Sequence, residues 1–146
     1  MPAASEAVAE HAGKAEEALL DVTGVMTDPV AAMAEHAPDS ERASLHPLFG
    51  PENAPGNVAV VVDSPGPVTD ELLAALAARG NDLVETTPSE HDDAMETVQA
   101  GAHAAVLAFA LASGPVPDGL QTPVYDRLVE LADQVAGGDP DRKSVV

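Results

Sequence analysis

The stretch VAVVVDSPGPVTDELLAALAARG, residues 58–80, decides the fold class. It begins with a run rich in β-branched side chains, which is typical of a strand buried on both faces. After a Pro/Gly turn comes a helix that Thr69 or Asp70 would cap and that Gly80 would end. Three leucines form the inner face of this helix: Leu72, Leu73 and Leu76. A buried strand followed by an amphipathic helix is the repeating unit of α/β proteins.

Similar units lie on both sides of this stretch. Strands are predicted at residues 18–25, 42–47 and 82–87. Helices are predicted at residues 4–18 and 27–37. Thr27 or Asp28 would cap the second of these helices, because a side-chain oxygen at that position accepts a free backbone N–H. Strands and helices therefore alternate, joined by short loops, up to about residue 88.

The pattern changes after Pro88. Residues 89–114 form one long helical run, capped by Ser89, whose second half is nearly all apolar. So apolar a helix is expected to be buried on every side or to lie at a subunit interface. A Pro/Gly turn then leads to a final helix at residues 122–138. The sequence predicts two domains: an α/β domain over residues 1–88 and an all-α domain over residues 89–146.

The chain is strongly acidic. Its 6 Lys and Arg residues stand against 25 Asp and Glu residues, which gives a formal net charge of −19. Nucleic acid and anionic membranes are therefore not expected as partners, because both are polyanions. One interpretation is a halophilic-type protein from a cytoplasm at high salt, where screening tolerates such self-repulsion. The other interpretation is an ordinary acidic surface.

Cysteine is absent, which excludes disulfides, thiol nucleophiles and thiolate metal sites. No apolar stretch is expected to approach the roughly 20 residues that span a bilayer. The N-terminal residues also lack the basic and apolar regions of a signal peptide. These features predict a soluble, cytoplasmic protein.

The histidines are the first candidates for chemistry. His46 lies at the carboxyl end of a predicted strand, the edge at which open α/β sheets keep ligand sites. On spacing alone, His91 is a solvated residue in the first turn of the long helix, and His103 is a hydrogen-bonded core residue. A metal site would combine His46 and His91 with Asp92 or Asp93. The i, i+4 ligand pair typical of metal-binding helices is absent, so no metal site is predicted.

Four segments together resemble the prephenate dehydrogenases, the oxidative decarboxylases of tyrosine biosynthesis. LHPLFGP at 45–51 resembles the family's His-Pro-Met-Phe-Gly-Pro segment, and SEHDDAMETVQAGAHAAVLAFA at 89–110 resembles its helix Glu-His-Asp-x-x-Met-x-x-x-Gln-x-x-x-His. LLDVTGVMTDPVAAM at 19–33 resembles the strand that reads Asp-x-Thr-Ser-Val-Lys. TPVYDRLVELADQVAGGDP at 122–140 resembles a Ser-Pro-x-Tyr helix. The segments occur in the family's order.

The resemblance implies an NAD- or NADP-dependent oxidative decarboxylation of prephenate to 4-hydroxyphenylpyruvate. It implies a partial Rossmann-type nucleotide-binding domain joined to a truncated helical dimerisation domain, and hence a homodimer. Arogenate is an alternative substrate. An alternative of another class is a catalytically inactive family fragment that acts as a dimerisation or ligand-binding module.

The resemblance also implies roles for individual residues. His46 matches the general base beside the nicotinamide. His91 would line the substrate pocket, with Asp92 orienting or gating it. Thr23 and Gly24 would contact the nicotinamide side of the cofactor. Two further residues would support the substrate site: Gln99 and Arg127.

The chain departs from the family pattern at several positions. The Gly-x-Gly-x-x-Gly cofactor fingerprint should precede residue 15, and no such turn is present. Gly24 stands where the family has a serine, and Met26 where it has a lysine. Gln134 stands where an arginine binds a substrate carboxylate, and Arg127, two turns earlier, is the candidate to replace it. We therefore expect a chain that lacks the N-terminal dinucleotide-binding unit and the C-terminal helices, through truncation or decay.

Overall fold

A computed structural model describes residues 4–137 and divides the chain into two compact units between Met95 and Glu96. The boundary predicted from the sequence lies between residues 88 and 89. The strands of the first unit are β1 (Ala18–Val22), β2 (Glu41–Pro47), β3 (Asn57–Ser64) and β4 (Asp82–Glu85). Its helices are α1 (Ala4–His11), α2 (Thr27–His36), α3 (Pro67–Ala78) and α4 (Pro88–Met95).

The four strands form a mixed sheet in the order β1-β2-β3-β4. β1 pairs with β2 and β3 with β4 in parallel, and a helix connects the strands of each pair. β2 and β3 are antiparallel, because residues 48–56 alone connect them and a parallel crossover needs a dozen residues or more. The predicted α/β alternation is thus interrupted by one antiparallel pair. The architecture is compatible with a partial α/β Rossmann-like domain.

The sheet is covered on both faces. Val58 and Val60 of β3 pack on one face with the three leucines of α3, which confirms the predicted inner face of that helix. Ala59 and Val61 pack on the other face with residues of α1 and α2, so β3 is buried on both faces as predicted. His46 pairs with Ala59. Because paired residues share a face, the His46 side chain lies on the side of the sheet that α1 and α2 cover.

The side-chain cap predicted for α2 is wrong, and the one predicted for α3 is confirmed only in part. Neither Thr27 nor Asp28 caps α2, because the first N–H groups of that helix donate to a carboxylate of α4. Thr69 takes part in the cap of α3, because its hydroxyl accepts the Gly66 N–H at 2.9 Å, whereas the Thr69 N–H itself donates at 2.7 Å to the Glu41 carboxylate of β2. Both carboxylates are distant in sequence from the helix they cap, so a local pattern could not identify them.

The capping residue predicted for the long helix is also wrong, by two positions, and α4 begins at Pro88. Thr87, and not Ser89, accepts the first N–H groups: its hydroxyl accepts the Glu90 N–H at 3.2 Å, and its carbonyl accepts the His91 N–H at 3.0 Å. The predicted end of α3 is confirmed. Gly80 follows that helix with φ of 90°, a left-handed conformation that glycine adopts without a steric penalty.

The described part of the second unit is helical. A π-helical turn over Glu96–Gly101 leads into α5 (Ala102–Ala112), and α6 (Pro123–Gly137) follows. The rings of Phe109 and Tyr125 meet edge to face, with centroids 5.6 Å apart. The Tyr125 hydroxyl donates to the Gly114 carbonyl at 3.2 Å. These contacts join α6 to α5 and to the turn that follows it.

Helix α5 is apolar but not buried. None of its residues is buried, and Leu111 is 89% exposed. The prediction that this helix is buried on every side is therefore wrong for a single chain, whereas its alternative, a subunit interface, stays a prediction. The helical run Pro88–Ala112 has 25 residues and is long and apolar enough to cross a membrane, contrary to the sequence-based expectation. Core helices of soluble proteins also pass this test, so it is weak evidence for a membrane.

Candidate active site

The candidate site lies in the first unit, at the carboxyl ends of β1 and β2. The loop after β1 carries Thr23 and Gly24, the end of β2 carries His46, and the first turns of α4 carry His91 and Asp92. β1 and β2 are parallel, so their carboxyl ends meet at one edge of the sheet. Helix α4 packs against α2, which places its first turns beside that edge.

His46 and His91 form the centre of this site. Nδ1 of His46 lies 2.9 Å from Nε2 of His91, and the two rings meet at 72° with their centroids 5.1 Å apart. His46 is half-buried, whereas His91 is 3% exposed. The interpretation of His91 as a solvated residue is therefore wrong. Burial, together with the electrostatic effect of His91, lowers the pKa of His46 below its ordinary value.

Asp92 joins the histidine pair to the beginning of α2. Its Oδ1 lies 2.9 Å from Nδ1 of His91 and accepts the Met26 N–H at 2.8 Å, while its Oδ2 accepts the Thr27 N–H at 3.0 Å. Burial alone would raise the pKa of Asp92, but the hydrogen bonds from Thr27, His91 and Met26 outweigh it and lower the pKa to about 2. Asp92 is therefore an anion at neutral pH.

The other ring nitrogen of His46 faces the loop after β1. A Cβ placed on Gly24 would stand 3.7 Å from Nε2 of His46, which is an ordinary van der Waals contact. Thr23 is engaged within its own loop, because its hydroxyl lies 2.8 Å from Asp21 Oδ2 and 2.6 Å from the Val25 carbonyl. Gly24 is itself exposed, so a ligand that approaches it comes within reach of His46 Nε2.

The remaining predicted residues belong to the second unit. Gln99 lies half-buried in the π-helical turn, and Arg127 is exposed on α6. His103 is exposed, so its interpretation as a core histidine is wrong. Together with Gln134 it lines an apolar hollow of about 720 Å³ between α5 and α6. Within residues 4–137, no group of three or more His, Asp or Glu side chains is arranged to hold a metal ion.

Sequence reasoning named the three residues that meet at this candidate site but missed how they connect. The contact between His46 and His91 joins residues 45 positions apart, and the bond from Met26 to Asp92 spans 66. The only local signal was the sequence Glu-His-Asp at the beginning of α4. The carboxylate next to His91 in that sequence is the group that its Nδ1 meets.

Comparison with known proteins finds a dehydrogenase that is similar to most of this chain. No family model matches the chain. The 4-amino-4-deoxyprephenate dehydrogenase of Streptomyces pristinaespiralis is 33% identical over 153 aligned positions, which cover 96% of the chain. This similarity supports a prephenate-dehydrogenase-like family. The chain spans about half the length of that relative, 51%. At the level of class, the similarity supports an oxidoreductase.

A dehydrogenase of this type implies a nicotinamide dinucleotide, and the residues around Gly24 fit one end of it. Gly24 has no side chain, so a flat ring can approach His46 Nε2. Val22 and Val25, on either side of it, are 63% and 54% exposed and offer apolar surface to such a ring. The sequence contains no Gly-x-Gly-x-x-Gly turn, so none of its residues is assigned to the pyrophosphate.

Proposed function

We propose that this chain carries the base of an NAD- or NADP-dependent dehydrogenase that oxidatively decarboxylates prephenate to 4-hydroxyphenylpyruvate, a step of tyrosine biosynthesis. The observation that carries the proposal is the hydrogen-bonded series His46, His91 and Asp92, which leaves Nε2 of His46 facing the exposed Gly24. The similarity to a dehydrogenase of a prephenate-type substrate supports the same chemistry.

His46 would act as the general base. The bound nicotinamide ring supplies the acceptor of the hydride that leaves the ring carbon bearing the substrate hydroxyl. As the hydride leaves, His46 Nε2 takes the hydroxyl proton, and the carbon–oxygen bond becomes a carbonyl. Carbon dioxide then leaves from the opposite ring carbon, the ring becomes aromatic, and His46 returns the proton to the phenolate oxygen. Atoms and charges balance, because the substrate loses only carbon dioxide and a hydride. A pKa below the ordinary value keeps His46 unprotonated, and so competent, at neutral pH.

The proposed substrate depends on which substituent the reacting ring carbon bears. Prephenate bears a hydroxyl there, and the similar Streptomyces protein is named for a substrate that bears an amino group. A neutral Nε2 accepts a hydrogen bond from either group. 4-Amino-4-deoxyprephenate is therefore the second candidate substrate. Arogenate, which keeps the ring hydroxyl, is the third.

The proposed partners follow from charge and from the second unit. The net charge of −19 supports a small-molecule substrate in preference to nucleic acid or an anionic membrane. We propose a cytoplasmic homodimer that pairs through α5, because Leu107 and Leu111 of that apolar helix are 41% and 89% exposed in one chain. If the acidity is an adaptation to salt, the free energy of unfolding will rise steeply across a KCl series.

The test is turnover with a matched pair of histidine variants. The purified protein is mixed with NAD or NADP and each of the three substrates, and reduced nicotinamide is followed by its absorbance. His46→Asn should lower kcat by on the order of 10²–10⁴-fold, the usual contribution of a general base. His36→Asn, an exposed histidine of α2, is the control and should leave turnover unchanged. A folded wild-type protein that turns over none of the three substrates would refute the proposal and favour the inactive binding or dimerisation module.

A further inference from the structure

We infer that Asp92 and His91 are positioning residues that fix the tautomer of His46, so that Nε2 of His46 carries the lone pair that accepts the substrate proton. The inference rests on the proposed function, because it describes how the general base of that reaction is held in one tautomer. In this inference His91 and Asp92 act on the general base His46, whereas the resemblance implied that they contact the substrate.

The series begins at Asp92, which can only accept. Backbone N–H groups of Met26 and Thr27 donate to its two oxygens, and a backbone N–H has no acceptor role. These bonds hold the carboxyl in its ionised form, and an ionised carboxylate has no hydrogen to give. The contact of 2.9 Å between Asp92 Oδ1 and His91 Nδ1 therefore requires the hydrogen to be on Nδ1 of His91.

The contact between His91 and His46 then allows only one placement of hydrogens when both rings are neutral. A neutral imidazole has one hydrogen, so His91 with its hydrogen on Nδ1 presents a lone pair at Nε2. That lone pair lies 2.9 Å from Nδ1 of His46, which must carry the hydrogen of this bond. Nε2 of His46 is left without a hydrogen. It is this nitrogen that faces Gly24.

The same series accommodates the proton once His46 has taken it. The proton on Nε2 makes His46 an imidazolium, whose Nδ1 hydrogen already points to His91. Transfer of that hydrogen to His91 Nε2 moves the positive charge next to the Asp92 anion, where opposite charges attract. His46 then holds its hydrogen on Nε2, and as it returns this hydrogen to the phenolate oxygen, His91 gives the other hydrogen back to Nδ1 of His46.

The bond from Asp92 to α2 adds a second function for the same carboxylate. Residues 23–26 form the loop that faces His46 Nε2, and Asp92 holds the end of this loop by accepting the Met26 N–H. One group therefore fixes both the base and the backbone opposite it. Such rigid support is what keeps reacting groups within a fraction of an ångström of a productive geometry.

The inference is tested by nitrogen-15 NMR of the histidine rings at pH 8, a measurement that needs no substrate. In the wild-type protein, His46 should show a protonated Nδ1 and an unprotonated Nε2. In Asp92→Asn, an amide replaces the obligate acceptor, and both rings should become mixtures of tautomers. The turnover of Asp92→Asn should fall by on the order of 10²–10⁴-fold, as expected when a base holds its hydrogen on the wrong nitrogen. Asp70→Asn, an exposed acid in the first turn of α3, is the matched control.

A second variant, His91→Asn, keeps the inference testable if Asp92→Asn does not fold. In His91→Asn the side-chain amide can still donate to Asp92, so the bonds from Asp92 to α2 remain, but His46 loses its acceptor. Its tautomer preference should disappear. A wild-type His46 with its hydrogen on Nε2, or an unchanged tautomer in both variants, would overturn the inference. If the tautomers agree with the inference while no substrate is turned over, the proposed function fails and the positioning series stands.

Discussion

Replacing Asp92 by asparagine should destabilise the protein by an amount that depends on pH in a defined way. The substitution removes the negative charge that accepts the N–H groups of Met26 and Thr27 and the Nδ1 hydrogen of His91. It also turns an NH₂ group toward one of these donors. The first turn of α2 loses its cap as a result, because no local side chain replaces it.

The magnitude follows from the pKa of Asp92. The hydrogen bonds lower it from 3.8 to about 2, and this difference corresponds to about 2 kcal/mol at neutral pH. The sign follows from the direction of the shift. A lowered pKa contributes stability that is fully present above the unfolded value near 4 and is lost as the pH falls through the folded value near 2. At pH 3 about half of the contribution, about 1 kcal/mol, should remain.

The assay is urea unfolding of the wild-type protein and Asp92→Asn at several pH values between 2 and 7. Taking the difference between the two proteins cancels the effect of the other carboxylates. Asp70→Asn should show almost no difference at any pH, since Asp70 is exposed and makes no cap. A difference below about 0.5 kcal/mol at pH 7, or one that stays constant from pH 2 to 5, would refute the reasoning.

Three further results are expected. Gly24→Ala should retain turnover, because its Cβ would stand 3.7 Å from His46 Nε2. Gly24→Val should lower kcat/KM by about tenfold or more, because the larger side chain stands in front of that nitrogen. Steady-state kinetics of the two variants, compared at equal unfolding midpoints, checks this. The value of kcat/KM should rise with pH through the pKa of His46 and reach half of its maximum below pH 6.5, because burial lowers that pKa and the base must be unprotonated; a midpoint above 7 in the pH profile would contradict this. Leu111→Glu should shift the proposed dimer toward monomer in sedimentation velocity, since Leu111 is 89% exposed in a single chain, and an unchanged sedimentation coefficient would argue against pairing through α5.

Local patterns predicted the elements of the fold well, because each element carries its own signal. The β-branched run at the beginning of residues 58–80 and the three leucines after it have the spacing that a buried strand and an amphipathic helix require. The antiparallel pairing of β2 and β3 was not foreseen, since it depends on the absence of a helix between them. Caps supplied by Glu41 and Asp92 were missed because both come from other elements.

The candidate site was predicted in its parts and not in its connections. The sequence indicated His46 from its place at the end of a strand, and the resemblance added His91 and Asp92. The distance of 2.9 Å between the two histidines depends on how α4 packs beside the sheet, which no spacing rule contains. Burial of His91 has the same origin. A residue in the first turn of a helix is solvated by default, and here the neighbouring elements exclude water from it.

Asp92 is bonded both to His91 and to the beginning of α2, so substitutions at Asp92 and at His46 should differ in their effect on folding. A substitution at Asp92 weakens the fold as well as the base, so it is removed by selection for a folded protein even when the reaction no longer matters. His46 has no such protection, because it is half-buried and its ring bond is to His91 alone among the hydrogen bonds of the described chain. Loss of the proposed reaction would therefore leave position 46 freer to change than position 92, where the fold itself depends on the carboxylate.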